Sequence, residues 1–166
     1  MARPGRNSPP ENILNPARTF FTTTKTSMGR RLLQSERNAG LLIEVLRSLV
    51  AERKFKLHDF VIMPDHLHLL LTVDEGMTVE KAMPLVKARF SFRVARELGL
   101  KGEVWQRGFS EVQVLGDESF EQHRTYIANN PVKAGLVDAP EKYPFCFGSL
   151  ARSKAEKQRA HAAMEA

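Results

Sequence analysis

Two short runs, Phe55 to Met63 and His66 to Val73, stand back to back with only Pro64-Asp65 between them. Both are rich in apolar and β-branched residues, and runs of that kind joined by a tight proline-containing pair form an antiparallel hairpin. The hairpin constrains everything around it. Alone in water it is marginal, so further strands or helices must cover it. Side chains alternate along a strand, which puts Leu67, Leu69 and Leu71 on one face and His66, His68 and Leu70 on the other. The leucine face is the one expected to pack on helices.

The flanking segments supply the cover. Arg18 to Lys25 (RTFFTTTK) reads as a strand. Ser35 is placed as an N-cap, and Leu42, Leu46, Leu49 and Val50 follow at helical spacing, predicting a helix over about 35–53. Thr78 opens a second helix with the apolar stripe Val79, Met83, Val86, Phe90, Val94 and Leu98. Pro84 inside it predicts a kink or a ragged first turn. After Gly99 and Gly102, Val104 to Leu115 reads as extended, and Gly116-Asp117 turns the chain. Ser119 and Gln122 form a capping box for a third helix, which Pro131 is expected to end at or just before Asn130.

The order β-α-β-β-α-β-α contains the split arrangement of a ferredoxin-like antiparallel sheet. The expected class is α+β, with helices packed on one face, the other face free, and the histidine pair on a central strand. Residues 1–16 carry four prolines and read as an extended N-terminal arm. Residues 17–146 read as one domain. Residues 147–166 read as a basic C-terminal tail, helical but frayed.

Bulk properties narrow the partners. At 166 residues and 42% hydrophobic content the chain suits one globular domain and excludes wholesale disorder. No apolar run approaches the ~20 residues of a membrane span. Arg6 leads into Asn7-Ser8-Pro9-Pro10, so no secretory signal is read. Cys146 is the single cysteine, which excludes an intramolecular disulfide and a Cys-rich zinc site and fits a reducing cytoplasm. The formal charge of +6 favours a polyanionic partner, nucleic acid or an anionic membrane surface.

His66 and His68 lie about 7 Å apart along one strand face, near enough for both rings to bend onto one divalent ion. By itself an H-x-H pair fits packed or surface histidines equally well. The third helix adds to it. At about 100° per residue, His123, Tyr126 and Asn130 fall within roughly 60° of one another. Tyr126 alone fits a core or interface tyrosine, and Asn130 alone a helix end; together, beside two histidines, they read as nucleophile plus further metal ligand. His123 and Glu111 are reserve ligands, and His58 and His161 are read as structural or surface residues. On the second helix Arg89, Arg93 and Arg96 cluster within about a sixth of the circumference. With Lys87, Lys101 and Arg107 they form either a basic track for a DNA backbone or a solvated helix face. Lys25, Arg30 and Arg31 form a second basic cluster of the same kind. Trp105 and Phe109 suit base stacking or the core.

Three segments in this order, VIMPDHLHLLLTV at 61–73, VWQRGFSEVQV at 104–114 and YIANNPVKAGLV at 126–137, resemble the REP-associated tyrosine transposases, within the single-tyrosine HUH transposases. The likeness runs from about residue 18 to 145, and its opening segment, ARTFFTTTKTSMGRR, matches only loosely. It implies that His66 and His68 are the HUH histidines, that Tyr126 is the nucleophile and that Asn130 completes a site for Mg²⁺ (or Mn²⁺). The implied activity is cleavage and rejoining of single-stranded DNA at palindromic hairpins through a 5′-phosphotyrosine, by a monomer or homodimer. One rival is a non-catalytic single-stranded DNA or hairpin-binding protein derived from a transposase. Another is a metal-dependent hydrolase with a water nucleophile, which usually needs several carboxylates, and few lie near this motif.

Overall fold

In the computed structural model, which describes residues 17–165, the hairpin joins two further strands in one antiparallel sheet. β1 (Arg18–Lys25), β2 (Lys56–Met63), β3 (His66–Val73) and β4 (Ser110–Gln113) lie in the spatial order β2-β3-β1-β4. The helices among the described residues are α1 (Glu36–Ala51), α2 (Val79–Leu98), α3 (Gly116–Lys133) and α4 (Phe147–Glu165), with two short 3-10 turns. The α+β, ferredoxin-like sheet is as expected, and β3 is an interior strand. The expected arm at 1–16 lies outside the described residues.

The leucine face behaves as its alternation demands. Leu67, Leu69 and Leu71 are fully buried in one cluster with Leu42, Leu46 and Leu49 of α1 and Met83, Val86 and Phe90 of α2. Each such side chain contributes about 1.5–3 kcal/mol of burial. Both helix starts are as read: the Ser35 hydroxyl accepts from Asn38 N at 3.1 Å and the Thr78 hydroxyl from Lys81 N at 3.3 Å. α2 runs unbroken through Pro84.

The other face is not free. α3 lies across part of it, and Ile127 and Phe120 pack with Val61, Met63, Leu70 and Phe21. The cause is visible in β2 and β3, where Phe60-Val61-Ile62-Met63 and Leu69-Leu70-Leu71 are apolar at consecutive positions and every one is buried. A strand that is apolar on both sides needs cover on both sides.

α3 also departs at both ends. It starts at Gly116, before Ser119, with Asp117 and Glu118 in its first turn, where acidic side chains favour the positive end of the helix dipole. Gly116 has φ +81°, which suits glycine at the turn into the helix. Nor does Pro131 stop it. The helix runs to Lys133 with Pro131 buried inside, so packing outweighs the missing N–H. Val104 to Leu115 is extended as a strand only over Ser110–Gln113. The residues before it are pinned instead: Trp105 is 9% exposed in the main core and donates Nε1–H to Lys87 O at 3.0 Å.

The C-terminal segment is helical and partly docked. Phe147 meets Phe60 edge-on at 6.2 Å, and Leu150 packs against the main core. Just before it, Ile62 N donates to Phe145 O at 2.9 Å, covering that stretch of the β2 edge.

Candidate active site

The strand register assembles one side of the site. Across β1–β3, Thr23 lies opposite His68 and Lys25 opposite His66, and across β1–β4 Thr23 lies opposite Ser110. Opposed residues share a sheet face. His66 and His68 therefore emerge together, with ring centroids 4.8 Å apart. α3 brings the other side. The Tyr126 ring sits 5.5 Å from the His68 ring at a steep angle and 5.8 Å from Phe21, while remaining 46% exposed. His66, His68, Tyr126, Lys25, Gln106 and Met28 all line one open cavity of about 790 Å³.

The two rings are oriented by neighbours. His68 Nδ1 is hydrogen-bonded to the Thr23 hydroxyl at 2.8 Å, and His66 Nδ1 to Asp65 Oδ1 at 2.7 Å. With both Nδ1 atoms engaged, each Nε2 is the atom left for a ligand, the arrangement that metal-binding histidines require. Phe21 stacks on the His68 ring at 5.1 Å and so holds its plane. Burial pushes the His68 imidazole down to about 4, with repulsion from His66 adding to it, so the ring is neutral at neutral pH. His68 is only 5% exposed and does not lie on an open face as the alternation alone suggested.

The further ligand is less assembled. Asn130 is half-buried, one turn beyond Tyr126 on the continuous helix, and is not among the residues lining the cavity. His123 is tied through Nδ1 to Ser119 O at 2.7 Å and packs 4.9 Å from Phe21. Glu111 sits opposite Thr22 on β4. Among the described residues no three His, Cys, Asp or Glu side chains are grouped to hold a metal ion, so neither reserve residue joins the histidine pair. The donor set that does fit a divalent cation is two imidazoles that each have Nε2 left for a ligand, leaving room for an amide oxygen, water or phosphate oxygens.

The expected basic track on α2 takes a different form. Arg89 is bonded to Glu52 and to the Ser48 hydroxyl, and Arg93 to Glu97 at 2.6 Å and Glu44 at 2.9 Å. Glu97 lies on α2 itself, while the bonds to Glu44, Ser48 and Glu52 tie α1 and its C-terminal end to α2 on the leucine side of the sheet, away from the histidines. There the arginines are part of an ion-pair lattice and not a free cationic strip. Arg96 lies over the Phe92 ring at 5.9 Å, and Lys101 and Arg107 are exposed. Lys87 donates to Gln106 O at 2.9 Å and Gly108 O at 2.8 Å, clamping a loop. Trp105 and Phe109 both belong to the core. His58 is structural, bonded to the Thr72 hydroxyl at 2.6 Å, and His161 is on the surface beside Glu165.

Sequence reasoning missed Thr23, Asp65 and Phe21, which orient the rings, and Met28 and Gln106, which line the cavity. Asp65 had a signal, the acid adjoining the first histidine; the strand partners had none without the register.

Known proteins resemble this chain in sequence and in fold. The family model described as IS200-like transposase matches residues 22–130. A REP-associated tyrosine transposase of Escherichia coli K12 is 28% identical over 127 residues, 76% of this chain and 73% of that protein. The solved structure of a REP-associated tyrosine transposase bound to a REP hairpin has a TM-score of 0.64 at 26% identity, covering 88% of this chain and 82% of that one. With most of its sheet, both histidines and Tyr126 inside the matched span, the chain belongs to the IS200-like transposase family.

Proposed function

We propose that this protein cleaves and rejoins single-stranded DNA at hairpin-forming palindromes through a covalent phosphotyrosine on Tyr126. The observation that carries the reading is the convergence of three side chains from two elements: His66 and His68 from β3 and Tyr126 from α3 share one cavity, with the Tyr126 and His68 rings 5.5 Å apart. The solved relative bound to a REP hairpin supports a hairpin as the substrate.

In this reading the Tyr126 oxygen attacks the scissile phosphorus in line. A P–O bond forms to Tyr126, the bond to the 3′ oxygen breaks, and that oxygen leaves as a 3′-OH. The phenolic proton passes to solvent, which reaches Tyr126 because the ring is half exposed, and the leaving 3′ oxygen takes a proton from the same solvent. A 3′-OH attacking the adduct runs the same steps backwards. The phosphodiester energy is conserved in the adduct, so rejoining needs no nucleotide cofactor. His66 and His68, with Asn130 as the third ligand, would hold Mg²⁺ or Mn²⁺, whose positive charge would offset the charge building on the phosphate oxygens. Lys25, opposite His66 on the same face, adds fixed positive charge to the cavity.

The test is direct. Labelled single-stranded hairpin DNA is incubated with the protein and Mg²⁺ and resolved on a denaturing gel. A covalent adduct is expected with the natural protein and none with Tyr126→Phe. An adduct that persists in Tyr126→Phe removes Tyr126 as nucleophile. Binding without adduct leaves a DNA-binding protein derived from a transposase, and cleavage without adduct points to hydrolysis by water.

A further inference from the structure

β1 does not run straight into α1. Between them residues 26–30 make a tight turn that is bonded on several sides. Thr26 N and its hydroxyl donate to Asp65 O at 2.9 and 3.1 Å, and the hydroxyl also reaches Arg30 O at 2.6 Å. Ser27 N donates to Val104 O at 2.9 Å, and the Arg30 guanidinium bonds to Ser27 O and Glu103 O. The turn is thereby fastened to the hairpin tip on one side and to the segment before Trp105 on the other.

Within that frame Met28 is held at φ +58° and ψ 23°, a left-handed conformation that is unfavourable for a residue with a side chain. Its side chain is 93% exposed. Glycine or asparagine would adopt this backbone more readily, and neither would put an apolar thioether in water. Strain held in place by surrounding bonds, on an exposed apolar residue, is the pattern of a part kept for contact with something else. What it adjoins is specific. Met28 lines the same cavity as His66, His68, Tyr126 and Lys25, and being almost wholly exposed it stands on the rim.

We infer that Met28 is a base-contacting residue: the strand entering the Tyr126 site lays one nucleobase against the Met28 thioether. This rests on the reading of the cavity as a single-stranded DNA site. A nucleotide is polar at its phosphate and flat and apolar at its base, and the cavity divides in the same way. Lys25, the histidines, Thr23 and Ser110 offer charge, imidazoles and hydroxyls, while Met28 offers a polarisable apolar group. Sulfur packs favourably on aromatic rings, and methionine is among the apolar side chains that proteins set against bases. The clamped turn fixes the distance between that contact and Tyr126, so the base selects which phosphate meets the phenol.

The experiment uses the full chain and one oligonucleotide chosen for tight binding from a random single-stranded pool. Versions carrying a single abasic nucleotide at each position in turn are bound to the natural protein, to Met28→Gly and to Met28→Phe. The glycine variant removes the side chain and relieves the backbone, so its melting temperature is expected to stay level or rise. Its affinity for the intact strand is expected to fall about tenfold, the scale of burying part of one methionine side chain. At one abasic position the difference between natural protein and Met28→Gly should vanish, and Met28→Phe should restore binding to the intact strand. Equal affinity of Met28→Gly and natural protein for every strand overturns the proposal, as does an abasic penalty that is the same in both proteins at every position. The coupling is read from binding alone. A natural protein that shows it yet forms no Tyr126 adduct overturns the cleavage reading and leaves the contact standing.

Discussion

Replacing His68 with asparagine should change how stability depends on pH. The His68 imidazole falls from its ordinary 6.5 to about 4 in the folded protein, chiefly because it is buried. The unfolded chain therefore takes up that proton first. The stabilisation from keeping the ring neutral is complete above pH 6.5 and is lost progressively as the pH falls towards 4. At 1.36 kcal/mol per pKa unit, the loss amounts to about 3 kcal/mol. His68→Asn suits the test because its amide keeps a partner for the Thr23 hydroxyl and does not titrate. Urea unfolding at pH 7.5 and pH 4.5 gives the stability of both proteins. The variant starts less stable, since it loses the stacking with Phe21. The gap between the two should then narrow by about 2–3 kcal/mol at the lower pH. His58, also lowered by burial, titrates in both proteins and cancels. A gap that stays constant to within about 0.5 kcal/mol would refute the claim that His68 is held neutral by burial.

Four further outcomes follow from the contacts of the fold and the site. Thr23→Val strips the partner from His68 Nδ1; it should cost about 1–2 kcal/mol in urea unfolding and raise the Mg²⁺ needed for half-maximal adduct by about tenfold. Trp105→Phe removes the bond to Lys87 O and leaves a void beside Phe90, and should cost roughly 2 kcal/mol in the same assay. Alanine at Arg89 and Arg93 should leave the salt dependence of single-stranded DNA binding unchanged, because their charges are met by Glu44, Glu52 and Glu97. Alanine at Lys25 should flatten it by about 0.7 in log–log slope, the value for one phosphate contact.

How much could be read beforehand depended on the range of each interaction. The histidine pair and the leucine face were legible because the two-residue alternation of a strand is a property of the backbone. The Ser35 and Thr78 caps were legible because their partners lie three residues away. Tyr126 was placed beside the histidines by helical spacing together with family likeness, since neither alone brings α3 onto β3. The covered second face was written in the consecutive apolar residues of β2, but the alternation of the histidine strand masked it. The pairing of Arg89 and Arg93 was not legible, because Glu44 lies on α1 and Glu52 just after it, far from α2 in sequence. Thr23 as the orienting partner of His68 depends on a pairing across 45 residues of chain. The run of α3 through Pro131 is a case of tertiary packing overriding a local rule.

The clamp at Lys87 has a mechanical consequence. That one residue of α2 accepts from Trp105 through its carbonyl and donates through its ammonium to the carbonyls of Gln106 and Gly108. Gln106 is part of the cavity wall. The wall on that side is thus bolted to the most deeply buried helix layer, whereas the Tyr126 side rests on a smaller cluster under α3. Thermal opening of the cavity should then be asymmetric. In hydrogen exchange the α2–loop side should yield only with global unfolding, and any breathing that admits or releases a strand should come from the α3 side.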